Sequence, residues 1–574
     1  MNIHKLNELP SVLTEQDVVA IDTEFTGMNA KKLHRPTGTF ASLQICIGED
    51  VYIITDESKL VEAWERIKNA GTIVGHNLMF DIRHLRRYIP IQQRKVWCTM
   101  LMEQNLWGGY YAIGEFSLAD CVRRYLNIKL DKSVRDMFED ATSLTPEMLK
   151  YSAEDVYYTL RVYEKQVEEI TNRKCGIASY WEVDEPTLWA FLDLKPVKVN
   201  TRRWLELASE HEDKGKELEG ELGINVNSVQ QVKAFIQTQT GITLENAQAE
   251  TLKALVASGK GKEPIGKILD AKSYRKAAST YGATWIANNI EDGELVYSDF
   301  HVTGSETGRT SSSSPNLLNI PARKFPEFRK LFVSAKGKYI IADISQQEPR
   351  ILAALSQDRE LLRIFKDKED IHLAVTRAIF NDPTIMKEDP RRDIGKMVNL
   401  ATTYGISAVG LSKRLNISET EAQKFLDRYF MRFPEVRMYI DRMRSLAQRL
   451  EYVESAMGRR IWINPHNFQS DNNAINAPIQ SSAADFTKIW TNDFRKMCLD
   501  AGKEFPAILV VYDEVVLDVE KDDVEWYKSA LSATFFGTAK RLFPSVPFEI
   551  DIAVGTTWAA KKEKEEDTLE EVEL

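Results

Sequence analysis

Asp22 and Glu24 stand two residues apart in the run VVAIDTEFTG, and the alternation of a strand puts both carboxylates on one face. Further on, GTIVGHNLMFDIRHLRRY reads as an apolar strand running into a helix on which Asn77 and Asp81, four apart, share a face. A third acidic segment follows in SLTPEMLKYSAEDVYYTL. There Thr145 as N-cap and Pro146 in the first turn start a helix that carries Tyr151 and Asp155 one turn apart. If these elements converge, Asp22, Glu24, Asp81 and Asp155 supply hard oxygen ligands for two Mg²⁺ ions. Two such ions, roughly 3.5–4 Å apart, stabilise both the attacking and the leaving oxygen when a phosphodiester is cleaved. Tyr151 is then placed to orient the attacking water. A lone DxE means little, because an Asp after a strand is commonly a turn or cap residue. The ordered set of three segments carries the signal.

A second set lies in the C-terminal half. GKYIIADISQQEPRILAAL delivers Asp343 at the end of an apolar strand, and PAILVVYDEVVLDVE flanks Asp513 and Glu514 with two β-rich runs, a hairpin with the acids at its turn. Taken alone, a Tyr-Asp-Glu turn is an ordinary polar hairpin. Paired with Asp343 it is a second candidate two-metal centre, suited to in-line displacement on a triphosphate. A third segment, RRDIGKMVNLATTYGIS, puts Arg392, Lys396, Leu400 and Tyr404 at intervals of four on one helical face. Two cations, an apolar platform and an aromatic ring facing one space suit the phosphates and base of a nucleotide. The competing reading is an amphipathic helix with solvated basic residues. Against it, Asn399 and the run from Thr402 to Gly405 do not continue a simple core stripe.

The elements that must position these residues need a large chain. At 574 residues, with 43% hydrophobic and 28% charged residues, the composition is that of a soluble globular protein of two or more domains. No apolar run reaches membrane-spanning length, and the N-terminal MNIHKLNELP lacks a signal peptide's apolar region. Cys46, Cys98, Cys121, Cys175 and Cys498 are odd in number and far apart, which argues against a disulfide framework or a CxxC zinc site and fits a reducing cytosol. A net charge of −10 means that any DNA-binding surface must be local. Residues 1 to about 170 alternate strands and helices, and a helical, charge-rich stretch runs from Asp184 to Ile290. From Val296 onward the strand-like runs YIIAD, ILVVY and VVLDV surround a helical insertion, Leu355 to Gln469. The boundary between the two halves falls near Thr171 to Asp184. The C-terminal KKEKEEDTLEEVEL reads as a solvated tail.

The segments DTE, HNxxxD and YxxxD, with LDKSVRDMF between the last two, resemble the DEDD exonuclease superfamily in its Tyr-containing branch, over residues 15 to 170. The segments around Asp343, Arg392 to Tyr404 and Asp513 resemble motifs A, B and C of the family A DNA polymerases, the Klenow-fragment-like group, from about Pro186 to Trp558. The resemblance implies an α/β plus α+β multidomain fold: an RNase H-like 3′-5′ exonuclease domain over 1–175, then a right-hand polymerase domain over 176–574. In that hand the thumb is expected near 184–295, the palm near 296–354 and 471–560, the fingers near 355–470 and a charged tail at 561–574. It also implies that Asp343 and Asp513 ligate the catalytic metals, with Glu514 beside them. Arg392 and Lys396 would contact the triphosphate, Lys396 also as general acid toward pyrophosphate, joined by His372 of EDIHLA. Glu348 matches the side chain that closes off the sugar's 2′ position. In TGRTSSSSPNLLNIPAR, Arg309 is expected in the minor groove at the primer end, with Asn316 and Arg323 nearby, and AINAPIQSSAAD adds Asn476 and Gln480 as DNA contacts. Purine N3 and pyrimidine O2 acceptors are common to all correct pairs, so Arg309 tests geometry without reading sequence.

Four residues depart from the family's pattern. Leu400 stands for a usual Phe or Tyr, Ile344 for a Tyr, Gln347 of the nucleotide pocket for an Ile, and Tyr512 for a His. None removes a metal ligand, and Leu400 weakens ring stacking at its position. A separate 5′-nuclease domain is not expected, since the exonuclease motif begins at Asp22, and the layout is similar to short polymerases of phages, of the Aquificales type or of organelle-like systems. The expectation is therefore a DNA-directed DNA polymerase with a proofreading exonuclease, using two Mg²⁺ per active site, for which Mn²⁺ can substitute. Its substrates would be primer-template DNA and dNTPs, and a helicase, a primase and a single-strand binding protein are candidate replisome partners. A monomer without membrane attachment is expected in the cytoplasm, at the nucleoid or in an infected cell, or in an organelle if the source is eukaryotic. Three rivals remain. A single-subunit RNA polymerase is opposed by Glu348 and the exonuclease segments, and a nuclease with a merely DNA-gripping C-terminal half by Asp343, Asp513, Arg392 and Lys396. A DNA-binding scaffold with decayed sites is opposed by the presence of every required acid.

Overall fold

The computed structural model describes residues 1–10, 13–27, 37–173, 177–257, 259, 261–291, 293–464, 470–559 and 570–571. Cys175 and the tail, apart from residues 570–571, lie outside the described residues.

The N-terminal unit is built on a six-stranded mixed sheet in the order β1-β4-β3-β2-β5-β6. Its strands are β1 Asn2–Lys5, β2 Val18–Thr26, β3 Thr39–Ile47, β4 Asp50–Ile54, β5 Thr72–Gly75 and β6 Val96–Cys98. β2 runs antiparallel to β3 and parallel to β5, and β5 runs parallel to β6. Parallel neighbours need crossovers, supplied by the helices Leu60–Ile67 and Leu78–Leu85. The long helix Pro146–Arg173 packs across the sheet, so Val19, Ala20 and Ile21 of β2 are all buried, as expected for a strand covered on both faces. That helix starts where its caps dictate, with Pro146 first and Thr145 Oγ1 accepting the Met148 N–H at 3.2 Å.

The C-terminal unit centres on an antiparallel sheet in which Gly337–Ile344 lies between Glu514–Glu520 and Ile550–Gly555, with Ala507–Val511 outside the former. Period two divides its central strand. Ile340, Ala342 and Ile344 enter a core with Phe486 and Trp490 of the helix Ser470–Asp500 and Phe535 of the helix Val524–Leu542. Tyr339 and Ile341 enter the opposite core with Phe332 and Trp558, which is continuous with the core of the exonuclease-like sheet. Burying each such large side chain contributes about 1.5–3 kcal/mol, so the two units share one apolar body. The helices Gln347–Ser356, Ile371–Phe380, Arg391–Thr403, Glu419–Arg432 and Pro434–Leu450 fill the chain between the palm-like strands, and Thr201–Leu222 packs along Lys262–Thr280. Among the described residues no helix is long and apolar enough to cross a membrane.

A buried ionic network ties the units together. Asp184 receives both Nη atoms of Arg459 at 2.7 and 2.8 Å, Lys488 Nζ at 2.9 Å, and Nδ2 of Asn105 from the N-terminal unit at 3.1 Å. Arg459 also pairs with Asp485 at 2.9 Å, and Ser455 Oγ donates to Asp485 at 2.8 Å. The four charged side chains are at most 1% exposed and sum to zero charge. Burial alone would raise Asp184, but Arg459 and Lys488 outweigh it and hold the carboxyl at about 2.

Candidate active sites

Asp22, Glu24 and Asp155 offer ligand oxygens that all lie within 4.8 Å of one another, the first two from β2 and the third from the helix Pro146–Arg173. Asp81, from the helix Leu78–Leu85, sits beside them, and its carboxylate accepts the Thr23 N–H at 3.0 Å and the Thr23 hydroxyl at 2.6 Å. The helix begins only at Leu78, so the expectation that Asn77 shares its face with Asp81 is corrected. Asn77 precedes the helix in left-handed backbone, φ 56°, because the chain must turn sharply from β5 into the helix. Burial, then the neighbouring acids, push Asp22 well above the usual carboxylate range and Glu24 up to about 8, and burial raises Asp81 to about 7. Carboxyls so crowded need cations to stay ionised together. Lys132, in the LDKS segment, supplies one. Its Nζ lies 2.8 and 2.7 Å from the two oxygens of Asp155 and 3.3 Å from the Tyr151 hydroxyl.

The second group forms by register. Asp343 pairs with Glu514 across one strand boundary and with Asp551 across the other, and directly paired residues project from the same face. Asp513 lies in the turn between the two hairpin strands, where its carbonyl accepts the Ile344 N–H at 3.0 Å and Tyr512 takes φ 58°. Glu514 is therefore the first residue of the second strand rather than part of the turn, a correction that follows from its pairing with Val511. It accepts the Trp558 indole N–H at 2.7 Å and Arg329 Nη1 at 3.3 Å, and the Arg329 guanidinium lies 4.0 Å over the Trp558 ring. Asp551 accepts the Ser345 hydroxyl at 2.8 Å.

The helix Arg391–Thr403 presents half-buried Arg392 and Leu400 and exposed Lys396 on one face, with Tyr404 capping its end. Asn399, Thr402 and Thr403, read from sequence as interrupting a core stripe, are in fact buried. The Thr402 and Thr403 hydroxyls donate to the carbonyls one turn back, which lets polar residues sit inside. Arg392 donates from Nε and Nη2 to Asp370 at 2.9 and 2.6 Å, and half-buried His372 has its pKa lowered, chiefly by burial. Glu348 accepts from Arg309 and, at 2.9 Å, from the Tyr404 hydroxyl, while burial and Glu348 push Tyr404 up to about 12. Gln347 is buried, donating to the Ala483 carbonyl and to Thr487 Oγ1, both at 3.1 Å. A cavity of about 270 Å³ lined by Arg309, Gln347, Glu348, Thr487 and Asp513 joins these groups. Gly308 sets Arg309 there: its φ is +76°, and a Cβ would come within 2.7 Å of Arg459 Nε. Asn476 and Gln480 line a neighbouring cavity with Ser305 and Thr307, and Asn316 and Arg323 are exposed.

Sequence reasoning missed Lys132, Arg329, Asp370, Asp551 and Trp558. Asp551 had a signal in FEIDIAVG, an acid on the alternate parity of an apolar strand. Arg329 and Trp558 had none, since they reach Glu514 from a short helical turn and from the chain just after the strand Ile550–Gly555.

The family described as DNA polymerase family A matches residues 197–560, and the 3′-5′ exonuclease family matches residues 2–171. DNA polymerase I of Pseudomonas aeruginosa is 27% identical over 601 aligned residues, which cover 95% of this chain and 64% of that protein. Thermostable DNA polymerase I of Thermus filiformis is 30% identical over 443 residues, 73% of this chain and 52% of that one. The chain thus spans between about half and two-thirds of these relatives' length. In fold it is similar to the POL domain of Pol1 from M. smegmatis, solved in complex with DNA primer-template and dNTP, with a TM-score of 0.81 at 24% identity, covering 96% of this chain and 97% of that one. The chain belongs to DNA polymerase family A, with a 3′-5′ exonuclease domain ahead of its polymerase domain.

Proposed function

We propose that the chain is a template-directed DNA polymerase that adds dNTPs to a primer 3′ end and proofreads at a separate 3′-5′ exonuclease centre. The observation that carries this reading is the register that sets Asp343 beside Glu514, with Asp513 bonded through its carbonyl to the residue after Asp343. The donors are carboxylate oxygens, which fit hard divalent ions: Asp343 and Asp513 in one centre, and Asp22, Glu24 and Asp155 with Asp81 alongside in the other. Two Mg²⁺ per centre, with Mn²⁺ able to substitute, would activate the attacking oxygen and neutralise charge on the leaving one. The chain's own groups do the rest. Arg392, Lys396 and His372 bind the triphosphate, with Lys396 giving its proton to pyrophosphate, while Leu400 and Tyr404 bed the base. Arg309, Asn316, Arg323, Asn476 and Gln480 follow the duplex, and Tyr151 orients water in the exonuclease centre. The enzyme would act as a cytoplasmic monomer with helicase, primase and single-strand binding partners.

A labelled primer-template incubated with Mg²⁺ tests the reading: the primer lengthens with dNTPs and shortens without them, and a primer unchanged in both rejects it. Binding to that DNA weakens linearly in log–log terms as salt rises, because phosphate contacts release counterions. A flat response would remove the phosphate-tracking surface from the account.

Glu348, held by Arg309 and Tyr404 at the cavity that Asp513 also lines, is proposed to block the sugar's 2′ position. Glu348→Ala is expected to raise rNTP use relative to dNTP use by about 10²-fold. Single-nucleotide incorporation kinetics check this, and unchanged discrimination would assign selection elsewhere. Preferred rNTP incorporation by the unaltered chain would instead favour the RNA polymerase reading.

A further inference from the structure

Lys132 sits in the chain between the helix Leu118–Leu126 and the short turn Arg135–Phe138, on a bend braced by Asp131, whose side chain accepts the Ser133 N–H at 2.9 Å and the Ser133 hydroxyl at 2.7 Å. Its ammonium engages both oxygens of Asp155 and lies 5.0 Å from the centre of the Tyr151 ring. Asp155 is also the acid whose oxygen approaches those of Asp22 and Glu24 within 4.8 Å. One group therefore serves two claimants: the lone pairs that Nζ uses are those a divalent ion needs from Asp155. The lysine side chain is about one-third exposed, so water can receive it if it leaves.

We propose that Lys132 is a displaceable internal cation of the exonuclease centre, which holds Asp155 and Tyr151 together between metal loads and releases an Asp155 oxygen when a divalent ion binds. This rests on the exonuclease reading above. Lys132 is a positioning residue: it sets how much divalent ion the centre needs before it is competent, and its departure frees the Tyr151 hydroxyl to meet water. Exonuclease action then turns on over a divalent concentration range fixed by this competition. An amine that merely stayed in place would act on divalent binding through its charge alone and would not give up Asp155.

The test uses the full chain with Mn²⁺ as probe. An amine-acylating reagent is applied with and without saturating Mn²⁺, and modification at Lys132 is followed by mass spectrometry, with exposed Lys129 as internal reference. Displacement makes Lys132 label several-fold faster with Mn²⁺ present. In parallel, Mn²⁺ binding is measured by electron paramagnetic resonance, and the part lost in Asp22→Ala is assigned to the exonuclease centre. Lys132→Met is expected to tighten that part by about tenfold, the equivalent of one charge-assisted hydrogen bond no longer competing. Arg135→Gln, which removes a nearby charge without touching Asp155, should change it far less. Unchanged or slower labelling with Mn²⁺, or equal tightening in both variants, overturns the displacement. Absence of any Asp22-dependent Mn²⁺ binding overturns the exonuclease reading itself, and the labelling arm needs no variant to fold.

Discussion

Asp343→Ala abolishes primer extension, by on the order of 10³-fold or more, and leaves digestion of single strands unchanged, while Asp22→Ala does the reverse. The size of the effect follows from what Asp343 does in the sheet. It is the acid shared between the register with Glu514 and the register with Asp551, and the backbone one residue on is bonded to Asp513. No other carboxylate on that strand can take its place, because the next residue on the same face lies beyond the strand's end at Ile344. The independence of the two effects follows from position: Asp22 belongs to β2 of another sheet, with different neighbours. Burial and the charges of Asp81, Glu24 and Asp155 disfavour an ionised Asp22, so its removal relieves repulsion when divalent ions are absent. Extension and single-strand digestion assays on both variants, with circular dichroism as the fold check, decide the matter. Loss of both activities in either folded variant would end the two-centre account.

Asp184→Ala lowers stability by about 3–5 kcal/mol, because it leaves Arg459 and Lys488 buried with only Asp485 to balance them. Asp184 also receives Asn105 from the exonuclease domain and Arg459 from beneath Gly308, so the damage reaches the domain junction and the loop that carries Arg309. The folded carboxyl, held at about 2, lies below its ordinary value near 3.8. Its stabilising contribution is therefore complete above about pH 4 and is lost as pH falls toward 2. Chemical denaturation from pH 7 down to pH 2.5 reads both effects. The gap between the unaltered chain and Asp184→Asn, which removes the charge with little change of shape, should narrow as the pH drops. A midpoint shift under about 1 kcal/mol for Asp184→Ala at pH 7 would mean that water reaches the pair and screens it.

The alternation of VVAIDTEFTG, the apolar strand before Asp343 and the spacing of Arg392, Lys396, Leu400 and Tyr404 made the local elements and most of the candidate groups legible in the chain, because strand and helix periods are set by nearest neighbours. Where an element ends is less local. Asn77 falls outside its helix and Glu514 falls inside its strand because the turn into one and the pairing of the other are fixed by segments elsewhere. Partners across long separations were not legible at all. Lys132 on Asp155, Arg329 and Trp558 on Glu514, Asp551 beside Asp343, and the Asp184 network join residues from 23 to 304 positions apart. Which charges meet in a low-dielectric interior depends on how layers stack and strands register, and short-range pattern carries no record of that. The sequence by itself determined the kinds of chemistry available and the elements that bear them; only the tertiary structure decided which cation stands against each acid.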